Sequence, residues 1–154
     1  MTNKVLVAID STGLSPLVVD SLCAQTRPGE TEVLLLQVVE PFSYSVPPEM
    51  AAGYAPDMAA RQQVDLDAAN ENLNRAAASL SKAGFKVESR VVESEIKQGI
   101  LTVASEWGAH LIVVTSHARK GIAKFLHRSV AEGIVHRASC SVLVVKEAAA
   151  QAAA

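Results

Sequence analysis

The sequence predicts a three-layer open α/β sandwich: a parallel sheet of five strands with helices on both faces. Three observations carry that prediction. Strand-like and helix-like segments alternate along the whole 154 residues, with no internal repeat. The strand segments are continuous aliphatic runs, such as Leu34-Leu35-Leu36 and Leu111–Val114, which suit strands buried on both faces rather than one. Hydrophobic residues make up 49% of the chain and charged ones 19%, so the chain has the apolar content to fill a core on each side of a sheet. A chain of this size buries roughly 70% of its unfolded surface and needs no metal or disulfide staple.

Lys4–Ile9 is the first strand, ended by Asp10-Ser11-Thr12-Gly13. Ser15 followed by Pro16 reads as an N-cap and a first helical position, opening a helix to about Thr26 that Arg27-Pro28-Gly29 breaks. Thr31–Val39 is the second strand. Glu40–Pro56 carries Pro41, Pro47, Pro48, Gly53 and Pro56 and reads as irregular, a flap or dimer-contact segment. Asp57 is placed to cap a long helix whose apolar residues Leu66, Ala69, Leu73, Ala76, Leu80 and Ala83 recur at threes and fours. Gly84 ends it.

Lys86–Val92 is the third strand, and Ile96, Ile100, Val103, Ala104 and Trp107 mark the third helix, stopped at Gly108. Leu111–Thr115 is the fourth strand. Ser129 and Glu132 have the spacing of a capping box, which predicts a fourth helix from there to about Ala138. Val142–Val145 is the fifth strand. Residues 1–147 read as a single domain, and 148–154 as a disordered alanine-rich tail.

A net charge of −2 and a pI near 6.1 give no whole-molecule attraction to nucleic acid or to an anionic membrane. No apolar run approaches the roughly 20 residues of a membrane span. The opening MTNKVLVAID enters a strand without a signal-peptide pattern, so a cytoplasmic location is expected. Cys23 and Cys140 stand far apart and read as two reduced thiols. His110, His117, His127 and His136 lack metal-ligand spacing, and Trp107 lies on an apolar helix stripe. Nothing supplies an activated nucleophile, an acid/base pair or a metal cluster, so no enzyme activity is expected. The chemistry-bearing stretch is the loop after the fourth strand. It holds Arg119, Lys120, Lys124 and Arg128 with no acid between His117 and Ser129, at the strand end where open α/β sheets bind ligands, often through phosphate.

The opening VLVAID, the Ser11-x-x-x-Ser15 spacing, QVVEP after the second strand, GAHLIVVTSHARKG and RSVAEGIVHRASCSVLVVK resemble the universal stress protein family over nearly the whole chain. The resemblance implies an adenine nucleotide alpha hydrolase-like fold with strand order 3-2-1-4-5. It also implies a regulatory or protective stress-response role and a cytoplasmic homodimer joined through the last strand, Val142–Lys146. An apolar edge strand is indeed a liability unless it is paired or covered.

Many members of that family bind ATP through Gly-x-x-Gly-x9-Gly-Ser after the fourth strand. In this chain the three glycine positions are Thr115, Ala118 and Arg128; only Ser129 matches, and Gly121 falls outside the spacing. Side chains at those positions crowd a place where backbone meets phosphate. Arg128 opposes that effect, since a guanidinium is itself a phosphate partner. Three simultaneous glycine losses favour steric exclusion, so the expectation is the subclass without strong ATP binding and no required cofactor. The alternative is an ATP- or AMP-binding switch in which Arg128 and a helix start at Ser129 hold the phosphates.

If a small molecule binds, the resemblance lines its pocket with Asp10, Val38, Thr115, Ala118, Arg128, Ser129 and Val130. Asp10 either meets adenosine hydroxyls or a phosphate-bound metal, or simply forms a turn. A third reading has Arg128 fill the site by pairing with Asp10. Two enzymatic or signalling folds fit less well. A nucleotide hydrolase wants a glycine-rich loop where Ser11-Thr12-Gly13 stands, and a receiver domain wants an Asp where Val92-Glu93-Ser94 stands.

Overall fold

Aliphatic strands that must be covered on both sides leave one economical arrangement, a single sheet between two helix layers. A computed structural model of the chain has that arrangement; it describes residues 2–42, 46–117 and 122–147, with side chains for all of these except 117 and 122–128. The elements are β1 (Asn3–Ile9), α1 (Pro16–Gln25), β2 (Thr31–Val39), α2 (Ala51–Lys82), β3 (Lys86–Glu93), α3 (Ile96–Trp107), β4 (Leu111–His117), α4 (Ile122–Arg137) and β5 (Ser141–Glu147). Short 3-10 turns occupy Pro28–Glu30 and Pro48–Met50. The sheet order is β3-β2-β1-β4-β5 with every pair parallel, as the resemblance implied.

Central strand β1 sets the register for its neighbours, with Val5 opposite both Val33 and Leu111, and Val7 opposite Leu35 and Val113. Side chains alternate across the sheet. Val5, Val7, Val33 and Leu35 meet Val18 and Leu22 of α1 and Leu73 and Leu80 of α2. Leu6, Leu34, Leu36 and Ile112 meet Ile100 and Val103 of α3 and Ile134 of α4. Both cores are legible in the sequence as one aliphatic run per strand.

The helix ends follow local chemistry. Ser15 caps α1, its Oγ accepting from the Leu17 amide at 3.2 Å, with Pro16 at the first helical position. Glu95 caps α3, accepting from the amides of Lys97 and Gln98 at 3.3 and 2.7 Å. Gly108 closes α3 in the left-handed conformation, φ 74°, which only glycine adopts without strain. Trp107 is half-buried on the α3 stripe, with the Lys4 ammonium 5.1 Å from its ring centroid.

Two helix starts differ from expectation. α2 begins at Ala51, not at Asp57, and contains Pro56. The 3-10 turn leads straight into it, alanines dominate its opening, and a proline this near the start removes one amide bond without breaking the helix. The irregular segment therefore ends near Pro47 rather than Pro56. At 32 residues, α2 is about 48 Å long, against roughly 30 Å for β2, and its N-terminal part extends past the strand ends.

The second difference is α4, which begins at Ile122 and not at Ser129. Ser129 and Glu132 lie inside it, so no capping box forms. The stretch Ile122–His127 holds good helix formers with no breaker after Gly121, and it joins the later stretch as one helix. β4 correspondingly runs on to His117, past Thr115. The proposed tail at 148–154 lies outside the described residues.

Gly99, in the first turn of α3, is where that helix rests on β2. A Cβ there would stand 2.9 Å from Val38 Cγ1 and 3.2 Å from Ser94 Cβ. Gly99→Ala should therefore cost about 1–3 kcal/mol by overpacking, read as a lower urea midpoint at unchanged slope. An unchanged midpoint would mean that Val38 yields freely.

Candidate functional site

The helices that follow β1 and β2 cover one face of the sheet, and those that follow β3 and β4 cover the other. The crossovers thus part between β1 and β4, and the strand ends diverge there into a crevice. A cleft of about 650 Å³ occupies it, floored by the C-terminal ends of β1, β2 and β4 and walled by α2, α3 and α4. Asp10, Val38, Thr115, Ser129 and Val130 all line this cleft. Ala118 and the side chain of Arg128 lie outside the described residues, and so does the suggested Arg128–Asp10 pair.

Asp10 has the turn-forming role. Its Oδ1 accepts from the Thr12 amide at 2.8 Å and from the Thr12 hydroxyl. Its carbonyl accepts from the Gly13 amide at 3.0 Å, and Gly13 itself takes φ 87°. Val38 packs into the sheet core against α3. Thr115 is half-buried two residues before the end of β4 and carries a side chain where the family motif has glycine.

Ser129 is exposed to the cleft from within α4. A helix starting at Ile122 uses the amides of Ser129 and Val130 on carbonyls four residues back, so neither amide is available to an anion. The expected helix start at Ser129 is thereby corrected.

Two cleft residues were invisible in the sequence. Asn72 of α2 donates through Nδ2 to the Asp10 carbonyl at 2.7 Å and to Gln37 Oε1 at 2.8 Å. Asn72 is 7% exposed and Gln37 8%, which makes them two of the three buried polar residues among those described. The pair ties α2 to the ends of β1 and β2. No spacing signal announces an amide pair so far apart in the chain; the only hint was a glutamine inside the apolar run Val33–Val39.

The rim carries Asp65, Glu71 and Arg75 from α2, and Glu95 and Lys97 from α3. The Lys97 stem lies across α4: a Cβ at Gly133 would stand 2.5 Å from Lys97 Cδ. Nearby, Arg137 Nη2 donates to Gln98 Oε1 at 2.9 Å. His110 sits at the opposite end of the sheet, its Nδ1 accepting from the Lys4 amide. Among the described residues no cluster of three His, Cys, Asp or Glu side chains forms a metal site. Cys23 is exposed; Cys140 is half-buried, and burial pushes its thiol pKa up.

The model of the universal stress protein family matches residues 1–146 of this chain. The chain belongs to the universal stress protein family. Universal stress protein A homolog 2 of Coxiella burnetii is 31% identical over 147 residues, covering 93% of this chain and 94% of that protein. Among solved structures, MJ0577 of Methanocaldococcus jannaschii has a TM-score of 0.73 at 23% identity, covering 96% of this chain and 98% of that one. An Arabidopsis thaliana protein of the universal stress protein family, solved with AMP bound, has a TM-score of 0.65 at 19% identity, covering 97% of this chain and 94% of that one. No helix among the described residues is long and apolar enough to cross a membrane.

Asn72→Ala removes the partner that Gln37 Oε1 has among the described residues and one donor to the Asp10 carbonyl. It should lower unfolding free energy by about 1–3 kcal/mol in urea melts, the cost of stranding buried polar atoms. A loss under about 0.5 kcal/mol would show that water replaces the amide without penalty.

Proposed function

We propose that this universal stress protein is a non-catalytic stress-response protein, a cytoplasmic homodimer with residues 1–147 as one domain, whose cleft does not bind ATP strongly. The observation that carries this reading is the start of α4. A polyphosphate is held at such a site by free amides at a helix N-terminus and by glycines that let backbone approach. Here α4 starts about two turns before Ser129, so the amides at 129 and 130 are already consumed inside the helix. Thr115 adds bulk at the strand end. Both features support exclusion of the triphosphate tail while leaving the apolar floor of the cleft open.

The Arabidopsis thaliana relative was solved with AMP bound, which supports a ligand of nucleoside or nucleotide size, and the position of this cleft at the parting of the crossovers supports placing it here. A non-catalytic role is supported by the lining: among the described residues no histidine faces the cleft to activate Ser11, Thr115 or Ser129. Asp10, Val38, Thr115, Ser129 and Val130 are the wall residues in this reading, and Ala118 and Arg128 join them through the family motif.

Dimer formation is supported by β5, which has a sheet neighbour on one side only. Val142, Leu143 and Val144 are half-buried there, and Val135 of α4 is 51% exposed. Antiparallel pairing of two β5 strands about a two-fold axis would satisfy that edge.

Titration calorimetry with ATP and magnesium should give no saturation below about 1 mM, equivalent to less than about 4 kcal/mol of binding. A micromolar isotherm would overturn the reading. Sedimentation equilibrium at micromolar concentration should return twice the 16.2 kDa chain mass, and a monomer would remove the dimer from the proposal.

A further inference from the structure

Gln37 is enclosed at the end of β2, only 8% exposed, yet among the described residues one end of its amide has no partner. The orientation of that amide is fixed by its surroundings. The Asp10 carbonyl can only accept, so the Asn72 group 2.7 Å from it is the NH2. The same NH2 stands 2.8 Å from Gln37, which must therefore present its oxygen. Gln37 Nε2 is left with its N–H donors and no acceptor among the described residues. No fully occluded side-chain nitrogen or oxygen among those residues lacks a partner, so Nε2 reaches open space. The space against Gln37 is the cleft.

We infer that Gln37 is a specificity-determining residue of the cleft, donating from Nε2 to an uncharged acceptor, a ring nitrogen or carbonyl, on a heterocyclic ligand of nucleoside size. An uncharged amide in a recess matches an uncharged acceptor, since the amide itself carries no charge to repay a phosphate for lost water. Ile9 and Val39, whose side chains point to the same face of the sheet as Gln37, and Ala68 of α2 line the cleft beside it and give the apolar contact a flat ring needs. Asn72 is the positioning residue: it holds the Gln37 oxygen and so turns the donor outward. The inference rests on the cleft being the ligand site, as proposed above.

The test uses adenosine as probe, since its ring nitrogens are neutral acceptors and it has no phosphate. Gln37→Glu keeps an oxygen for Asn72 and the same outline, and removes the outward donor. Calorimetry should show adenosine binding to the parent protein, weakened about tenfold or more in Gln37→Glu, with both proteins giving the same circular dichroism spectrum. Equal affinity for both proteins, or no adenosine binding to the parent, overturns the inference. Should Gln37→Glu fail to fold, the parent is titrated with 1-deaza-, 3-deaza- and 7-deazaadenosine. One of the three must lose about tenfold in affinity, and equal binding of all three overturns the inference. Tight binding of ATP would instead defeat the exclusion of triphosphate and leave the Gln37 comparison standing.

Discussion

The constraint on which the rest depends is the double burial of β1. It lies between β2 and β4, and Val5, Leu6 and Val7 are each at most 1% exposed. A strand covered on both faces and paired on both edges cannot shift by one residue without turning its whole apolar set to the wrong side. The chain therefore leaves β1 at a fixed point, Asp10, and that point lies where the crossovers separate to opposite faces. The cleft is a geometric result of this parting, and it exists whatever side chains line it.

What the side chains add is a small polar knot over that opening. Asp10 closes its own turn through Thr12 and Gly13, and Asn72 fastens the turn to α2 and to β2. A Cβ at Gly13 would stand 3.0 Å from Asn72 Oδ1, so the left-handed glycine also leaves room for the amide. The knot makes the carboxylate of Asp10 a structural member of the wall. The α4 side of the cleft follows a different logic, because there the helix starts well before Ser129 and its amides are spent within the helix.

Much of this was legible in the residues. The aliphatic runs gave five strands and both cores, Ser15-Pro16 and Gly108 gave helix ends, the switch-point rule gave the place of the opening, and the family resemblance named Asp10, Val38, Thr115, Ser129 and Val130, which line it. Two starts were misread because a local signal was outweighed by its surroundings. Pro56 looks like a breaker but stands where an alanine-rich helix tolerates it, and Ser129 with Glu132 has capping spacing inside a helix that had already begun. Gln37 and Asn72 were beyond reach for another reason. Their pairing depends on how α2 lies against β2, and amides in contact across a fold leave no period or motif in the chain.

The overhang of α2 separates two properties that usually move together. Its C-terminal part, with Leu73, Ala76 and Leu80, is anchored in the core, whereas Ala51 to about Val64 stands beyond the strand ends, moored by Phe42, Gln62 and Glu93. The height of that parapet, and so the depth of the bay it shelters, is governed by how many turns precede Asp65. Turns added or trimmed there would deepen or flatten the bay while the load-carrying interior stays as it is, so reach toward a ligand and resistance to unfolding are free to vary independently in this chain.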